Sequence, residues 1–187
     1  MLPTADAWNI LNRAEQIFSA VDVAQAIERL SSEITLALQN DYPLVLSVMG
    51  GAVVFSGHLL PLLRFPLEFD AIHVSRYAGE TRGGELQWHV LPKEPVAGRT
   101  ILVLDDILDE GHTLVAIRDK LLALGAKQIF SAVLVDKMLG KDKPIKADFA
   151  GLIVPNRYVF GCGMDAYGLW RNLPAIYALK QAELGNT

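Results

Sequence analysis

The chain has 187 residues, 51% of them hydrophobic, and a formal net charge of -4, which suits one well-filled core and is short for two domains. It carries no Lys/Arg-rich run, which argues against nucleic acid as a partner, and its single cysteine, Cys162, excludes an internal disulfide framework. The opening Met1-Leu2-Pro3-Thr4-Ala5-Asp6 lacks the basic-then-apolar layout of a secretory signal, so the expected location is the cytoplasm.

In chain order, residues 4–40 carry apolar positions at helical spacing: Trp8, Leu11 and Phe18 in a first amphipathic helix, then Val23, Ile27, Leu30, Ile34 and Leu38 in a second that Asp22 can cap. Asn40-Asp41-Tyr42-Pro43 ends it. Between Pro43 and Leu63 there is no Asp, Glu, Lys or Arg, so this stretch imitates a membrane span. The Gly50-Gly51 pair, Gly57, His58 and Pro61 interrupt it, and it reads better as a buried strand, Leu44–Val48, turning into a helix, Val53–Leu63. A strand follows at Leu67–Tyr77, then a polar glycine-bearing loop at 78–84 with the composition of a mobile lid, and a strand at Leu86–Val90. Further strands are expected at 101–104 and 129–135, a helix at 114–124 ending in Gly125, short strand-like runs at 151–154 and 158–160, and a short helix around Ala175. This alternation predicts an α/β fold, a mainly parallel twisted sheet flanked by helices. One domain, 1–187, is expected, with helices over 1–40, a core over 41–146 and a smaller final part over 147–187.

The run Ile101-Leu102-Val103-Leu104-Asp105-Asp106-Ile107-Leu108-Asp109-Glu110-Gly111-His112-Thr113-Leu114 carries the chemistry. Four apolar residues without polar alternation suit a strand buried on both faces, and ligands of such sheets gather at the carboxyl ends of the strands. Asp105 and Asp106 leave the strand in opposite directions, where they can meet the hydroxyls of a ribose. Beyond them, Gly111 permits a tight turn, Thr113 offers a hydroxyl, and the start of a helix attracts phosphate through its free N–H groups. A nucleoside-triphosphate hydrolase would also need a G-x-x-x-x-G-K-[ST] loop; the only Gly-Lys pair, Gly140-Lys141, is followed by Asp142 and lacks the earlier glycine.

Other constellations are weaker alone. Met49-Gly50-Gly51 is either a plain strand-to-helix turn or a turn that presents N–H groups to an anion. Gly161-Cys162-Gly163-Met164-Asp165-Ala166 fits a loose dinucleotide pattern, but no long helix follows before Pro174. Lys137, Tyr158 and Arg171 are readable as surface lysine, core aromatic and solvated arginine. His58, His73, His89 and His112 have no metal-ligand spacing.

The acidic run closely resembles the phosphoribosyl-pyrophosphate signature of type I phosphoribosyltransferases. From about Val45 to Leu179 the chain resembles the hypoxanthine-guanine phosphoribosyltransferases of purine salvage. Met49-Gly50-Gly51, Ser75-Arg76-Tyr77, Leu104–Leu114, Leu134-Val135-Asp136-Lys137, Asp148-Phe149-Ala150-Gly151, Tyr158–Asp165 and Arg171-Asn172-Leu173-Pro174 carry this resemblance. It implies the type I fold, with residues 147–187 forming a purine-binding hood, and Mg-dependent transfer of a 5-phosphoribosyl group from phosphoribosyl pyrophosphate to N9 of hypoxanthine or guanine. IMP or GMP and pyrophosphate are then the products. It also implies a homodimer or homotetramer, with no nucleic-acid or membrane partner.

Residue by residue, the resemblance gives Asp109 the general acid/base role at purine N7. Asp105 and Asp106 would hold the ribose hydroxyls and the waters of one Mg2+, and Asp165 a second Mg2+. Glu110, Gly111, His112 and Thr113 would seat the 5-phosphate, while Gly50, Gly51 and Arg171 would hold pyrophosphate. Lys137 would donate to the 6-oxo group, Tyr158 would stack on the base, and Val159 and Asp165 would offer backbone carbonyls to the 2-amino group. Arg76 and Tyr77 would open the lid. The family often has a cis peptide at the Met49-Gly50 position.

Three positions depart from the family pattern: Gly50 for a frequent lysine, Arg76 for a serine, and Glu110 for a threonine. The alternatives are a xanthine-preferring enzyme, which needs a donor where guanine offers one, and a non-catalytic nucleotide-sensing relative.

Overall fold

The computed structural model describes residues 3–76 and 86–180. In chain order it contains α1 (Thr4–Arg13), β1 (Glu15–Phe18), α2 (Ala20–Leu38), β2 (Leu44–Met49), α3 (Val53–Leu59) with a 3-10 turn at Leu60–Leu62, β3 (Glu68–Arg76) and β4 (Leu86–Val90). β5 (Thr100–Leu108), α4 (His112–Ala123), β6 (Gln128–Lys137), β7 (Phe149–Val154), β8 (Val159–Phe160) and β9 (Ile176–Ala178) follow. Six strands form a sheet in the order β4-β3-β2-β5-β6-β7, parallel except for the antiparallel edge strand β4.

β5 lies inside this sheet, and its period-2 geometry divides the core. Leu102 and Leu104 pack with Leu30, Ile34 and Leu38 of α2 and Phe55 of α3. Ile101 and Val103 point the other way, against Leu114, Ile117 and Leu121 of α4. This explains the unbroken apolar run: both faces are covered by helices.

The charge-free stretch 43–63 is β2, α3 and the 3-10 turn, and among the described residues no helix is long and apolar enough to cross a membrane. The second helix has the expected apolar stripe, but its cap is Ser19. Ser19 Oγ accepts from the Asp22 N–H at 3.2 Å, and the Asp22 carboxylate accepts from the Ser19 N–H at 2.8 Å. Asp22 is thus the reciprocal member of a capping box.

β1, β9 and β8 form a small antiparallel sheet. Two expectations fail here. Phe18 belongs to β1, not to a first helix, and residues 176–178 form β9 where a helix around Ala175 was expected. Both segments are shorter than the window over which a 3.6-residue period is readable, and pairing between the two ends of the chain decides their state. The expected division at 147 also shifts, because β7 joins the main sheet while β1 joins the small one.

Candidate active site

β5 is longer than its apolar core: it runs through Asp105 and Asp106 to Leu108, pairing with β6 up to Leu108–Asp136. The two acids therefore stand on the strand itself, held by β6 on one side after the pairing with β2 has ended at Leu104, rather than in a loop beyond it. Gly111 then takes a left-handed conformation (φ 86°) as N-cap of α4, so the helix begins at His112, two residues earlier than expected. Its first N–H groups face the end of the sheet, an arrangement suited to an anion.

A cavity of about 240 Å³ opens here, lined by Asp105, Asp106, Asp109, Glu110, Gly111 and Thr113 together with apolar residues including Val48 and Ile107. His112 is not among its lining residues and is exposed. Burial pushes the Asp105 carboxyl well above the ordinary carboxylate range, and the neighbouring Asp106 charge adds to this. Asp106 is raised as well, chiefly by burial, with Arg171 acting in the opposite sense.

Met49–Gly50 is a cis peptide bond. A side chain at Gly50 would meet open space, whereas a Cβ on Gly51 would lie 2.0 Å from Asp106 Oδ2. Gly163, at φ 103°, closes against the other side of the same turn: its Cβ would lie 1.9 Å from Gly51 O. Gly51 and Gly163 are glycines because two backbones meet beside one carboxylate.

Arg171 Nη1 donates to Gly163 O at 2.6 Å and its guanidinium pairs with Asp165 Oδ1 at 2.5 Å. The other oxygen of Asp165 accepts from the Gly168 N–H at 2.8 Å. Arg171 thus reaches the Gly50-Gly51 turn through Gly163, and Asp165 already has an arginine partner. Lys137, mostly buried at the end of β6, places Nζ 2.8 Å from Asp109 Oδ2. Tyr158 stands just before β8, its ring stacked on Tyr167 at 6.2 Å between centroids and an interplanar angle of 12°. Burial raises its phenol pKa, and the charge of Asp165 adds to the effect. Val159 is buried in β8 opposite Ala178. Val159 belongs to the small sheet, Tyr158 immediately precedes it, and neither lines the 240 Å³ cavity.

Arg76 ends β3 opposite Leu86; Tyr77 and the expected lid, 78–84, lie outside the described residues. Sequence reasoning missed Lys141 and Lys143, whose ammonium groups reach Glu110 at 3.3 Å and Asp136 at 2.5 Å. The density of lysines after β6 was the available signal. Cys162 is buried, its thiol donates to Pro174 O at 3.1 Å, and burial pushes its pKa up to about 11.

An acidic pair at the carboxyl end of a buried strand, followed by a glycine-capped helix, is an arrangement suited to a phosphate-bearing ligand. The chain belongs to the phosphoribosyl transferase domain family, whose model matches residues 13–166. It is 35% identical to the hypoxanthine-guanine phosphoribosyltransferase of Bacillus subtilis over 167 residues, covering 89% of this chain and 93% of that one. It is also 35% identical to the hypoxanthine-guanine-xanthine phosphoribosyltransferase of Tritrichomonas foetus, covering 89% and 91%. The bifunctional protein TilS/HprT of Listeria monocytogenes is 36% identical, and there the chain spans only 26% of the relative's length. A solved hypoxanthine phosphoribosyltransferase from Staphylococcus aureus superposes with a TM-score of 0.87 at 27% identity, covering 94% of this chain and 96% of that one.

Proposed function

We propose that this protein salvages purines by transferring the 5-phosphoribosyl group of phosphoribosyl pyrophosphate to N9 of hypoxanthine or guanine, releasing pyrophosphate. The observation that carries this reading is the Lys137–Asp109 pair, 2.8 Å apart, beside the phosphate-sized cavity. A 6-oxopurine presents O6 and N7 side by side on one edge. The lysine donates to O6 and the aspartate accepts the N7 proton as N9 attacks the sugar carbon and the bond to pyrophosphate breaks. Adenine offers a 6-amino donor instead, which leaves the ammonium without an acceptor.

The sugar becomes cationic as pyrophosphate departs, so the nearby carboxylates stabilise the transition state. The phosphate occupies the N-terminus of α4 with Gly111 and Thr113. Asp105 and Asp106 are adjacent hard oxygen donors at the carboxyl end of β5 and line the cavity, so their chemistry fits Mg2+. Among the described residues no group of three ligating side chains exists, so water and substrate oxygens would complete the shell. The ion, when bound, neutralises phosphate and carboxylate charge. Asp165 is the weaker candidate for a second ion because Arg171 competes for it.

We also place the protein in the cytoplasm, where its activated sugar substrate is made, and propose that it associates as a homodimer or homotetramer. The name of the Tritrichomonas relative favours a second reading in which xanthine is accepted too.

The test is nucleotide formation from phosphoribosyl pyrophosphate with hypoxanthine, guanine, xanthine or adenine, each with and without Mg2+. Mg-dependent turnover of hypoxanthine and guanine is expected, and xanthine preference would move the assignment to the second reading. Ligand binding without turnover of any base would instead mark a nucleotide sensor. Asp109→Asn should lower kcat by about 10²–10⁴-fold with little change in purine binding; unchanged turnover would remove Asp109 from the reaction.

A further inference from the structure

Beyond Lys137 the chain turns back over the ends of β5 and β6. Pro144 and Ile145 press on the phosphate turn, where a Cβ on Gly111 would come within 3.1 Å of Ile145 Cγ2 and 3.5 Å of Pro144 Cδ. Immediately before them in the chain is Lys143, whose side chain is only 11% exposed. Its Nζ donates to Leu108 O at 2.7 Å and to Asp136 Oδ1 at 2.5 Å. A lysine this buried persists only where its charge is met.

The place of these two acceptors matters. Leu108 and Asp136 are opposite one another in the β5–β6 register, each the neighbour of a residue at the purine edge: Asp109 follows Leu108 and Lys137 follows Asp136. One ammonium therefore ties together the two strand ends from which Asp109 and Lys137 project. The pairing of β5 with β6 ends at this same pair, Leu108–Asp136, so the ammonium reinforces the last rung of the ladder just before Asp109 and Lys137.

We propose that Lys143 is a positioning residue for phosphoribosyl transfer, stapling the end of β5 to the end of β6 so that Asp109 and Lys137 stand in register with N7 and O6 of the base. This rests on the reading of Asp109 and Lys137 as the purine-edge pair. Lys143 touches neither the base nor the sugar; it acts through the Leu108 carbonyl and the Asp136 carboxylate. The phosphate seat has its own anchor in the buried Leu114 and Ile117 of α4, so loosening the staple falls chiefly on the purine side.

Lys143→Met keeps the aliphatic stem and removes the ammonium. In the full-length protein, kcat is expected to fall roughly tenfold and the purine KM to rise several-fold, while the KM for phosphoribosyl pyrophosphate stays within about twofold. Amide hydrogen exchange at residues 108–111 should quicken with no change in the middle of β5. A merely stabilising lysine would lower the amount of active protein and leave both KM values alone. If Lys143→Met does not fold, Asp136→Asn carries the test: it removes only the counter-charge that orients the ammonium and should give the same split in smaller measure. A folded variant with unchanged kcat, purine KM and exchange overturns the proposal, as do equal changes in both KM values. A wild-type protein that turns over no base would defeat the reading of the pair, and exchange at 108–111 would still report whether Lys143 holds that turn.

Discussion

At the scale of single residues, this site concentrates negative charge, although the proposed phosphoribosyl substrate is itself an anion. Asp105 and Asp106 hold carboxyls raised above their ordinary values, so their ionisation opposes folding of the metal-free protein. The stability advantage of the protonated form is complete below the unfolded value, about 3.9, and is lost as pH rises through the higher folded value. Asp105→Asn should therefore melt at a higher temperature than the parent protein at pH 7 in a chelator, with the gap closing toward pH 4. Each pK unit is about 1.4 kcal/mol, and each kcal/mol is roughly 2–4 °C for a chain of this size. Melting curves across pH 4–8 measure this, and a gap independent of pH would contradict it. Glu110 adds a fourth acid to the cavity lining, after Asp105, Asp106 and Asp109, and is partly balanced by Lys141 at 3.3 Å. Both side chains are exposed, so that pair contributes no more than about 1 kcal/mol and modulates affinity without deciding activity.

At the scale of elements, α2 is the helix that covers β7 and the lower half of the sheet, and its start depends on one local device. Ser19→Ala removes the hydroxyl that accepts from the Asp22 N–H and leaves the first turn open. The expected cost is about 1 kcal/mol, a few degrees in Tm, with kcat and both KM values unchanged because neither Ser19 nor Asp22 lines the cavity of the site. A loss of activity without a loss of stability would show that α2 communicates with the site. This box was half legible: Asp22 stood out as a cap, but the reciprocal role of Ser19 needs the backbone geometry of both residues. β5 was legible for a different reason. Four consecutive apolar residues can only be buried on both faces, whereas its extension through Asp105–Leu108 is imposed by pairing with β6.

At the scale of the whole molecule, the site is complete only where the small sheet meets the large one. Gly163 comes from the segment between β8 and β9 and packs on Gly51, which follows β2 and packs on Asp106 of β5. Gly163→Ala forces a side chain into the Gly51 carbonyl at a left-handed φ of 103° and must separate the two sheets. Activity with every purine should fall at least tenfold, about 1.4 kcal/mol in transition-state stabilisation, and the KM for phosphoribosyl pyrophosphate should rise. Steady-state kinetics with both substrates varied tests this; a variant with normal kinetics would show that the joint tolerates separation.

The acidic strand end, the glycine turn, the alternating α/β order and the absence of a hydrolase loop follow from residue types and spacings alone, because strand alternation, glycine conformation and helix-end polarity act over a few neighbours. Those local rules reach as far as Asp105, Asp106, Asp109 and Gly111. They do not reach β1 and β9, which become strands by pairing between distant ends of the chain. Nor do they show that Asp165 is held by Arg171, that Lys137 meets Asp109, or that Lys143 bridges Leu108 and Asp136. Lys137–Asp109 and Lys143–Leu108 join residues 28 and 35 apart, which only the pairing of β5 with β6 brings within reach, whereas Asp165–Arg171 and Asp136–Lys143 are local in sequence but depend on how an irregular loop folds back.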